Sequence, residues 1–122
     1  MKINSFKDLI AWQKAHEFAL VVYKVTDKFP ENEKFRLIDQ LRRAVVSITS
    51  NIAEGFSRKS SKEKINFYLI SLGSITEVQS QLVLAKDLNY LNKERFDELE
   101  QQSIVVHKLC NGLIKACRGL IT

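Results

Sequence analysis

The residues best suited to chemistry in this sequence are four closely spaced cations, Arg58, Lys59, Lys62 and Lys64. Arg and Lys side chains donate hydrogen bonds to phosphate and attract its charge, so such a cluster is typical of a surface that binds nucleic acid backbones. It is equally typical of a solvated surface that keeps a protein soluble. The cluster by itself leaves both interpretations open.

Catalytic and metal-binding patterns are missing from the sequence. A di-iron bundle needs Glu-x-x-His pairs, and neither His16 nor His107 has a glutamate three residues before it. No phosphate loop, G-x-G-x-x-G motif or zinc spacing occurs, and two isolated histidines support no Ser-His-acid triad. We therefore expect a protein that is not an enzyme and carries no metal or cofactor, with both histidines serving as packing or surface residues.

The two cysteines, Cys110 and Cys117, are seven residues apart. On a helix this spacing is about 10 Å along the axis, beyond the ~7 Å between Cα atoms that a disulfide tolerates. We expect buried free thiols, which suit a reducing compartment.

The composition is that of a globular protein, with 45% hydrophobic and 27% charged residues. A chain of 122 residues predicts one domain, residues 1–122, and a single proline with four glycines predicts few turns between long elements. The longest apolar runs, such as Ala19 to Tyr23, are far too short to span a membrane, and the N-terminus MKINSFKDLI does not read as a signal peptide. We expect a cytoplasmic protein with no membrane partner.

Apolar residues spaced three and four apart predict four helices, over residues 6–28, 31–56, 62–89 and 93–119. Pro30 ends the first helix, a serine of the SRKSS segment caps the third, and Asn92 caps the fourth. The fold class predicted is all-α, an antiparallel up-down-up-down, left-handed four-helix bundle. The clearest repeat predicts one seam along the fourth helix: Phe96, Leu99, Ser103, Val106, Cys110, Leu113, Cys117 and Leu120.

Small polar residues form a stripe along the second helix, opposite its apolar seam. A solvated face is one interpretation. The other is a subunit interface, because the third helix carries apolar residues away from its core face, and Arg43 could then pair with Glu77. Gly73 in the middle of the third helix suggests a close helix approach. The candidate oligomer interface or polar network comprises Arg43, Ser47, Asn51, Glu54, Ile70, Glu77, Gln81, Leu84 and Leu88.

The predicted topology collects cations at the end that holds the N-terminus, the second connection and the C-terminus. We call it the basic end, and its candidate nucleic-acid-binding residues are Lys2, Lys7, Arg58, Lys59, Lys62, Lys64, Lys115 and Arg118. Against three acids there, eight cations give +5, the formal net charge of the chain. The opposite end is predicted to be rich in acids: Asp27, Glu31, Glu33, Asp87, Glu94, Asp97, Glu98 and Glu100. We expect a molecule that is electrically polar along its axis.

Three segments have a distinctive pattern: FKDLIAWQKAHEFALVVYKVTDKFP, QLRRAVVSITSNIAEGFSRKS and FYLISLGSITEVQSQL. They resemble the small four-helix-bundle proteins that are encoded in intervening sequences of bacterial large-subunit (23S) rRNA genes. The most specific positions are two series, Gln40–Arg43–Ala44–Ser47–Asn51–Ala53–Glu54–Gly55 and Gly73–Ser74–Glu77–Gln81. The resemblance implies the same bundle and a ring-like homopentamer. It also points to the accessory variability determinant of diversity-generating retroelements, a similar basic pentameric bundle that binds a reverse transcriptase and nucleic acid.

Two hypotheses for the function follow. The first is a non-enzymatic homo-oligomer that binds RNA or DNA electrostatically through the basic end, with little base selectivity. The alternative is a protein-interaction scaffold, for example an accessory subunit of a reverse transcriptase, with no direct role in nucleic acid binding.

Overall fold

The computed structural model describes residues 2–120, so Met1, Ile121 and Thr122 at the ends of the predicted domain lie outside it. Short 3-10 turns, Phe6–Asp8 and Glu31–Glu33, precede the first two helices, and no strand occurs between residues 2 and 120. Four α-helices make up most of the described chain: α1 Ile10–Thr26, α2 Leu37–Ser57, α3 Ser61–Asp87 and α4 Lys93–Gly119. The predicted all-α class is confirmed.

Side-chain caps fix the starts of α3 and α4. Ser60 Oγ accepts a hydrogen bond from the backbone N–H of Glu63 at 3.1 Å, and Asn92 Oδ1 accepts one from that of Arg95 at 2.7 Å. Each bond satisfies an amide that has no partner within its helix. The predicted caps and the bounds of the fourth helix are confirmed, and the third helix differs from its prediction by one residue at its start and two at its end.

The N-terminal segment does not run continuously into α1, contrary to the prediction of a helix over residues 6–28. Asp8 Oδ2 accepts from the Ser5 backbone N–H at 3.1 Å, and Ser5 Oγ accepts from that of Lys7 at 3.2 Å. This capping box completes the bonding of a short turn, so the chain can leave helical geometry at Leu9, where φ is −73° and ψ is 126°. The helix proper ends at Thr26.

The predicted start of the second helix at Glu31 is wrong, because α2 begins six residues later at Leu37. None of residues 31–36 is buried, so a helix there would have no apolar face to pack on the core. Arg36, with φ −124° and ψ −104°, interrupts the helical geometry. The 3-10 turn is held instead by Tyr90, whose hydroxyl donates to the Glu33 carboxylate at 2.8 Å.

Each helix packs against two others: α2 against α1 and α3, and α4 against α3 and α1. Two hydrogen bonds show the direction of α3 relative to α2. Ser74 Oγ bonds to Ser47 Oγ at 2.8 Å, while Lys64 Nζ donates to the Gly55 carbonyl at 3.3 Å. Residue numbers rise along one helix as they fall along the other, so α2 and α3 are antiparallel.

The α3–α4 pair is antiparallel by the same reasoning. Gln79 Nε2 donates to Ser103 Oγ at 3.0 Å, and the Cys110 thiol lies 3.4 Å from the Tyr68 carbonyl. Together with the packing of α1 on α2 and α4, these contacts confirm a four-helix bundle. The left-handed crossing stays a prediction.

The apolar faces of the four helices meet in one core. Its largest fully buried side chains are Phe18, Val22, Leu41, Val45, Ile48, Ile52, Ile75, Val78, Leu82, Leu99, Val106 and Ile114. The predicted seam of α4 is buried at six of its eight positions, but Ile114 rather than Leu113 is fully buried, and Leu120 is 79% exposed. A helix with 3.6 residues per turn drifts away from a strict heptad, which moves the buried position by one residue.

Candidate nucleic-acid interface

The basic end is assembled around Gly55, in the last turn of α2. A Cβ atom on Gly55 would lie 2.6 Å from the Tyr68 ring, so the end of α2 touches the start of α3. The Tyr68 carbonyl in turn accepts from the Cys110 thiol on α4. The N-terminal segment reaches the same helix, since Leu9 and Leu113 line one surface groove. The structure thus brings the N-terminal segment, the α2–α3 connection and the last part of α4 to one end.

Most of the predicted binding residues are available to a ligand at this end. Six cations are exposed and form no ion pair within 4.0 Å with another residue of the described chain: Lys2, Lys7, Lys59, Lys62, Lys115 and Arg118. Unpaired surface cations are the groups that can neutralise phosphates and release counterions.

Arg58 is partly engaged within the protein. Its guanidinium lies 3.6 Å from a Glu54 carboxylate oxygen and 4.7 Å from the centre of the Phe67 ring. The side chain is still 42% exposed, so the ion pair is weak and the planar donor group remains accessible. Glu54, which the sequence places in the candidate interface, therefore also faces the basic end.

Lys64 has a structural contact that the sequence does not reveal. Its ammonium donates to the carbonyl of Phe56 at 2.7 Å and to that of Gly55 at 3.3 Å, and it lies 5.4 Å from the centre of the Phe56 ring. The last carbonyls of a helix have no partner within it, and a cation there also complements the helix dipole. The half-buried Lys64 thus closes α2, and we remove it from the set of freely available cations.

Three rings that contact one another near the start of α1 were not predicted from the sequence. Phe6 packs edge-on against Trp12, with ring centres 5.1 Å apart, and Trp12 stacks on His16 with ring centres 4.8 Å apart. The spacing of four between Trp12 and His16 is a signal for contact on one helix face. The position of the Phe6 ring could not be predicted, because it depends on the extended backbone of Leu9.

The opposite end, predicted to be rich in acids, also carries bases. Removing eight of the 19 Lys and Arg residues and three of the 14 Asp and Glu residues leaves 11 of each outside the basic end. Three ion pairs lie in this part of the bundle: Arg42–Asp27 at 2.8 Å, Lys93–Asp97 at 2.9 Å and Arg95–Glu98 at 2.9 Å. The molecule therefore has one positive end and a nearly neutral remainder.

The candidate oligomer interface lies along α2 and α3, and we call it the α2/α3 face. Its polar part includes a small network in which Asn51 donates to the Ser47 carbonyl at 2.8 Å and Ser47 bonds to Ser74. Its apolar part is uncovered in the isolated chain, where Ile70 is 50%, Leu84 49% and Leu88 44% exposed. Exposed apolar residues on one side of a helix favour a surface that contacts another protein.

The predicted pairing of Arg43 with Glu77 does not occur within the chain, where no ion pair joins them. Glu77 instead accepts a hydrogen bond from Gln81 Nε2 at 3.1 Å. Gln81 Oε1 is buried and has no hydrogen-bond partner among the described residues. A Cβ on Gly73 would meet no atom within 4 Å, so no helix of this chain approaches it closely.

The sequence matches the family model described as 23S rRNA-intervening sequence protein over residues 7–112. The chain belongs to this family. A 1.70 Å crystal structure of a protein of unknown function, from the S23 ribosomal protein family of Bacteroides thetaiotaomicron VPI-5482, is similar to it, with 28% identity and a TM-score of 0.78. The similarity covers 87% of this chain and 99% of that chain. No curated protein sequence matches. The family resemblance expected from the three segments is confirmed.

In this 23S rRNA-intervening sequence protein, the residues that could act as metal ligands lie apart. Within residues 2–120, no three His, Cys, Asp or Glu side chains are grouped to hold a metal ion. His107 Nδ1 lies 3.2 Å from Asn111 Nδ2 on α4, and His16 lies exposed on α1. Both cysteines are buried free thiols, and burial raises the pKa of Cys110 to about 12. No helix in the described chain is long and apolar enough to cross a membrane.

Proposed function

We propose that this protein is a non-enzymatic, cytoplasmic homo-oligomer that binds RNA or DNA backbones through its basic end. The observation that carries the proposal is the convergence of six exposed, unpaired cations from three distant segments on one end. Because backbone phosphates are the same at every base, such a surface gives affinity that depends on salt and little on sequence.

The test is a charge reversal at three of these cations, Lys59→Glu, Lys62→Glu and Lys115→Glu. We expect affinity for RNA to fall on the order of a hundredfold, and the slope of log affinity against log salt to fall by about three. Fluorescence anisotropy over a salt series measures both. Equal binding by wild type and variant at low salt would remove the basic end as the site.

A matched control reverses three exposed lysines that lie at the other end, Lys24→Glu, Lys28→Glu and Lys34→Glu. Both triple variants change the net charge equally, so a general effect of net charge would weaken binding to the same extent in each. A local site predicts that the control retains most of the affinity.

The α2/α3 face supports the oligomeric part of the proposal. An isolated chain leaves Ile70, Leu84 and Leu88 about half exposed, and it buries Gln81 Oε1 without a partner. A second subunit against this face would bury the exposed apolar residues and could offer donors to the exposed Glu77 carboxylate. The family resemblance favours five subunits in a ring.

Oligomerisation is tested by light scattering on wild type and on the double variant Ile70→Glu, Leu84→Glu. We expect a pentamer that dissociates when two charges are placed in the interface. Leu20→Glu on α1 is the matched control, since Leu20 is also exposed, at 60%, but lies off the α2/α3 face. A monomeric wild type at micromolar concentration would contradict the assembly.

The alternative function is a scaffold for a protein partner such as a reverse transcriptase, with no direct role in nucleic acid binding. The exposed apolar stripe favours it, because a partner subunit could use the same residues as a second copy of this chain. Binding of a purified reverse transcriptase that survives nuclease treatment, and that Ile70→Glu with Leu84→Glu abolishes, is the result that this alternative requires.

A further inference from the structure

A stack of three rings lies on α1 and the segment that precedes it. Phe6 contacts the edge of Trp12 at an interplanar angle of 68°, and His16 lies nearly parallel to Trp12, at 10° and 4.8 Å. Trp12 is half-buried beneath its neighbours, whereas His16 is exposed. The stack therefore ends at the surface in a flat ring.

The turn before α1 is folded back so that Phe6 can reach Trp12. Gln13 Nε2 donates to the Lys7 carbonyl at 2.8 Å, and the extended backbone of Leu9 separates the turn from the helix. The turn Phe6–Asp8 also contacts α2. A continuous helix would have placed the Phe6 ring farther along the same axis, away from the indole.

The ring stack lies beside one cation of the basic end. Phe6 contacts Trp12, and Lys7, the next residue in the turn, is exposed and without an ion pair. Arg42 on α2 bonds to the Tyr23 carbonyl on α1 at 3.2 Å. By this register His16 lies at the level of Thr49 on α2, and Arg58 is about 14 Å farther along the axis at 1.5 Å per residue.

We propose that the exposed His16 ring, supported by Trp12, is a stacking site for the bases of single-stranded RNA or DNA, with a backbone phosphate held by Lys7. Aromatic rings beside a cationic track are the arrangement that binds single strands, because every base has a face that can stack. In a duplex the bases are already stacked and paired, so they cannot use the site. The inference rests on the proposed function and adds the class of nucleic acid.

The chain supplies its own reporter, because Trp12 is its only tryptophan. We expect a short single-stranded oligouridine to quench Trp12 fluorescence and to bind at least about fivefold more tightly than a duplex of the same length at the same salt. His16→Ala should lower affinity for the single strand about fivefold or more and leave duplex affinity unchanged. His16→Tyr should retain the preference, since it keeps a ring.

His107→Ala is the matched control, because it removes the other histidine from a site on α4. Circular dichroism checks that His16→Ala, a substitution at an exposed helical position, leaves the fold intact. Equal affinity of wild type and His16→Ala for the single strand would overturn the stacking site, while salt-dependent binding lost in the Lys59, Lys62 and Lys115 reversal would still support the proposed function. If neither the single strand nor the duplex bound to the wild type, both the stacking site and the proposed function would be overturned.

Discussion

The two ends of the bundle use their charged residues in opposite ways. At the end that holds the α1–α2 connection, acids and bases pair with one another, as in Arg42–Asp27, and Tyr90 bonds to Glu33. At the basic end the α2–α3 connection is held by packing of Gly55 on Tyr68 and by Lys64 on helix carbonyls. Because these contacts need no acid, most of the surrounding cations stay unpaired.

The number of cations at one end of the bundle differs from the number that a ligand can reach unpaired. Both ends hold Lys and Arg, and both leave some of them without an ion pair, but three cations of the opposite end are paired with acids and only Arg58 is paired at the basic end. Exposed ion pairs contribute little to stability, but they still neutralise the local field. A surface that binds polyanions is therefore favoured by a connection held by contacts that use no acid.

The largest expected effect comes from loosening that connection with Gly55→Ala. The new methyl group would lie 2.6 Å from Tyr68 Cε1 and 2.9 Å from Cδ1 of the same ring, which is buried in the core. We expect the free energy of unfolding to fall by about 3 kcal/mol, the upper part of the range for overpacking. Urea denaturation measures it.

Gly73→Ala is the matched control for this substitution. No atom lies within 4 Å of the new methyl group, so the gain in helix propensity should raise stability by about 1 kcal/mol. A loss of stability at Gly73 that depends on protein concentration would show instead that another subunit packs there. No loss at Gly55 would contradict the close contact of α2 with α3.

The next largest expected effect is on the pH dependence of stability, which differs between the two ends. Burial raises the pKa of Cys110 from 9.0 to about 12, so the folded state keeps a proton that the unfolded chain loses. The contribution of Cys110 to stability is therefore constant below about pH 9 and falls between about pH 9 and 12, by about 1.4 kcal/mol for each pH unit. At the other end, the hydrogen bond to Glu33 raises the pKa of Tyr90. Ionisation of Tyr90 therefore also lowers the stability of the folded state at alkaline pH.

Cys110→Ala and Tyr90→Phe separate these contributions in urea denaturation curves recorded at pH 8 and pH 10.5. Cys110→Ala creates a small cavity and lowers stability at both pH values, but it should flatten the alkaline fall. Tyr90→Phe should change the alkaline fall much less, since Tyr90 is only half-buried. An alkaline fall of the same size in wild type and Cys110→Ala would show that the thiol is not buried.

The fold was largely predictable because local signals and core packing agree. Ser60 and Asn92 cap helices whose apolar repeats begin immediately afterwards, and the predicted bounds of the last two helices are nearly those observed. The start of α2 was not predictable from Pro30, since what decides it is the absence of buried residues before Leu37 and the bond from Tyr90, distant in sequence.

The site was predictable only as a collection of cations. The order of the helices alone places Arg58 and Lys115 at the same end, so this prediction needs no knowledge of side-chain contacts. The role of Lys64 depends on two carbonyls at the end of the preceding helix, and the position of Phe6 depends on one extended residue, Leu9. Contacts of this kind follow from a few backbone angles, which spacing and composition do not encode.

The smallest expected effects are those of substituting two neighbouring cations of the basic end, Lys62 and Lys64, which have different roles. Lys64→Met removes an ammonium that donates to the carbonyls of Gly55 and Phe56 but keeps the apolar stem. We expect the free energy of unfolding to fall by about 1 kcal/mol and RNA affinity to change little. Lys62→Met removes an exposed cation without an ion pair, so stability should stay within about 0.5 kcal/mol while affinity and its salt slope fall. If both substitutions weakened RNA binding equally and left stability unchanged, Lys64 would belong with the phosphate-binding cations, and a neutral contact would have to hold the end of α2.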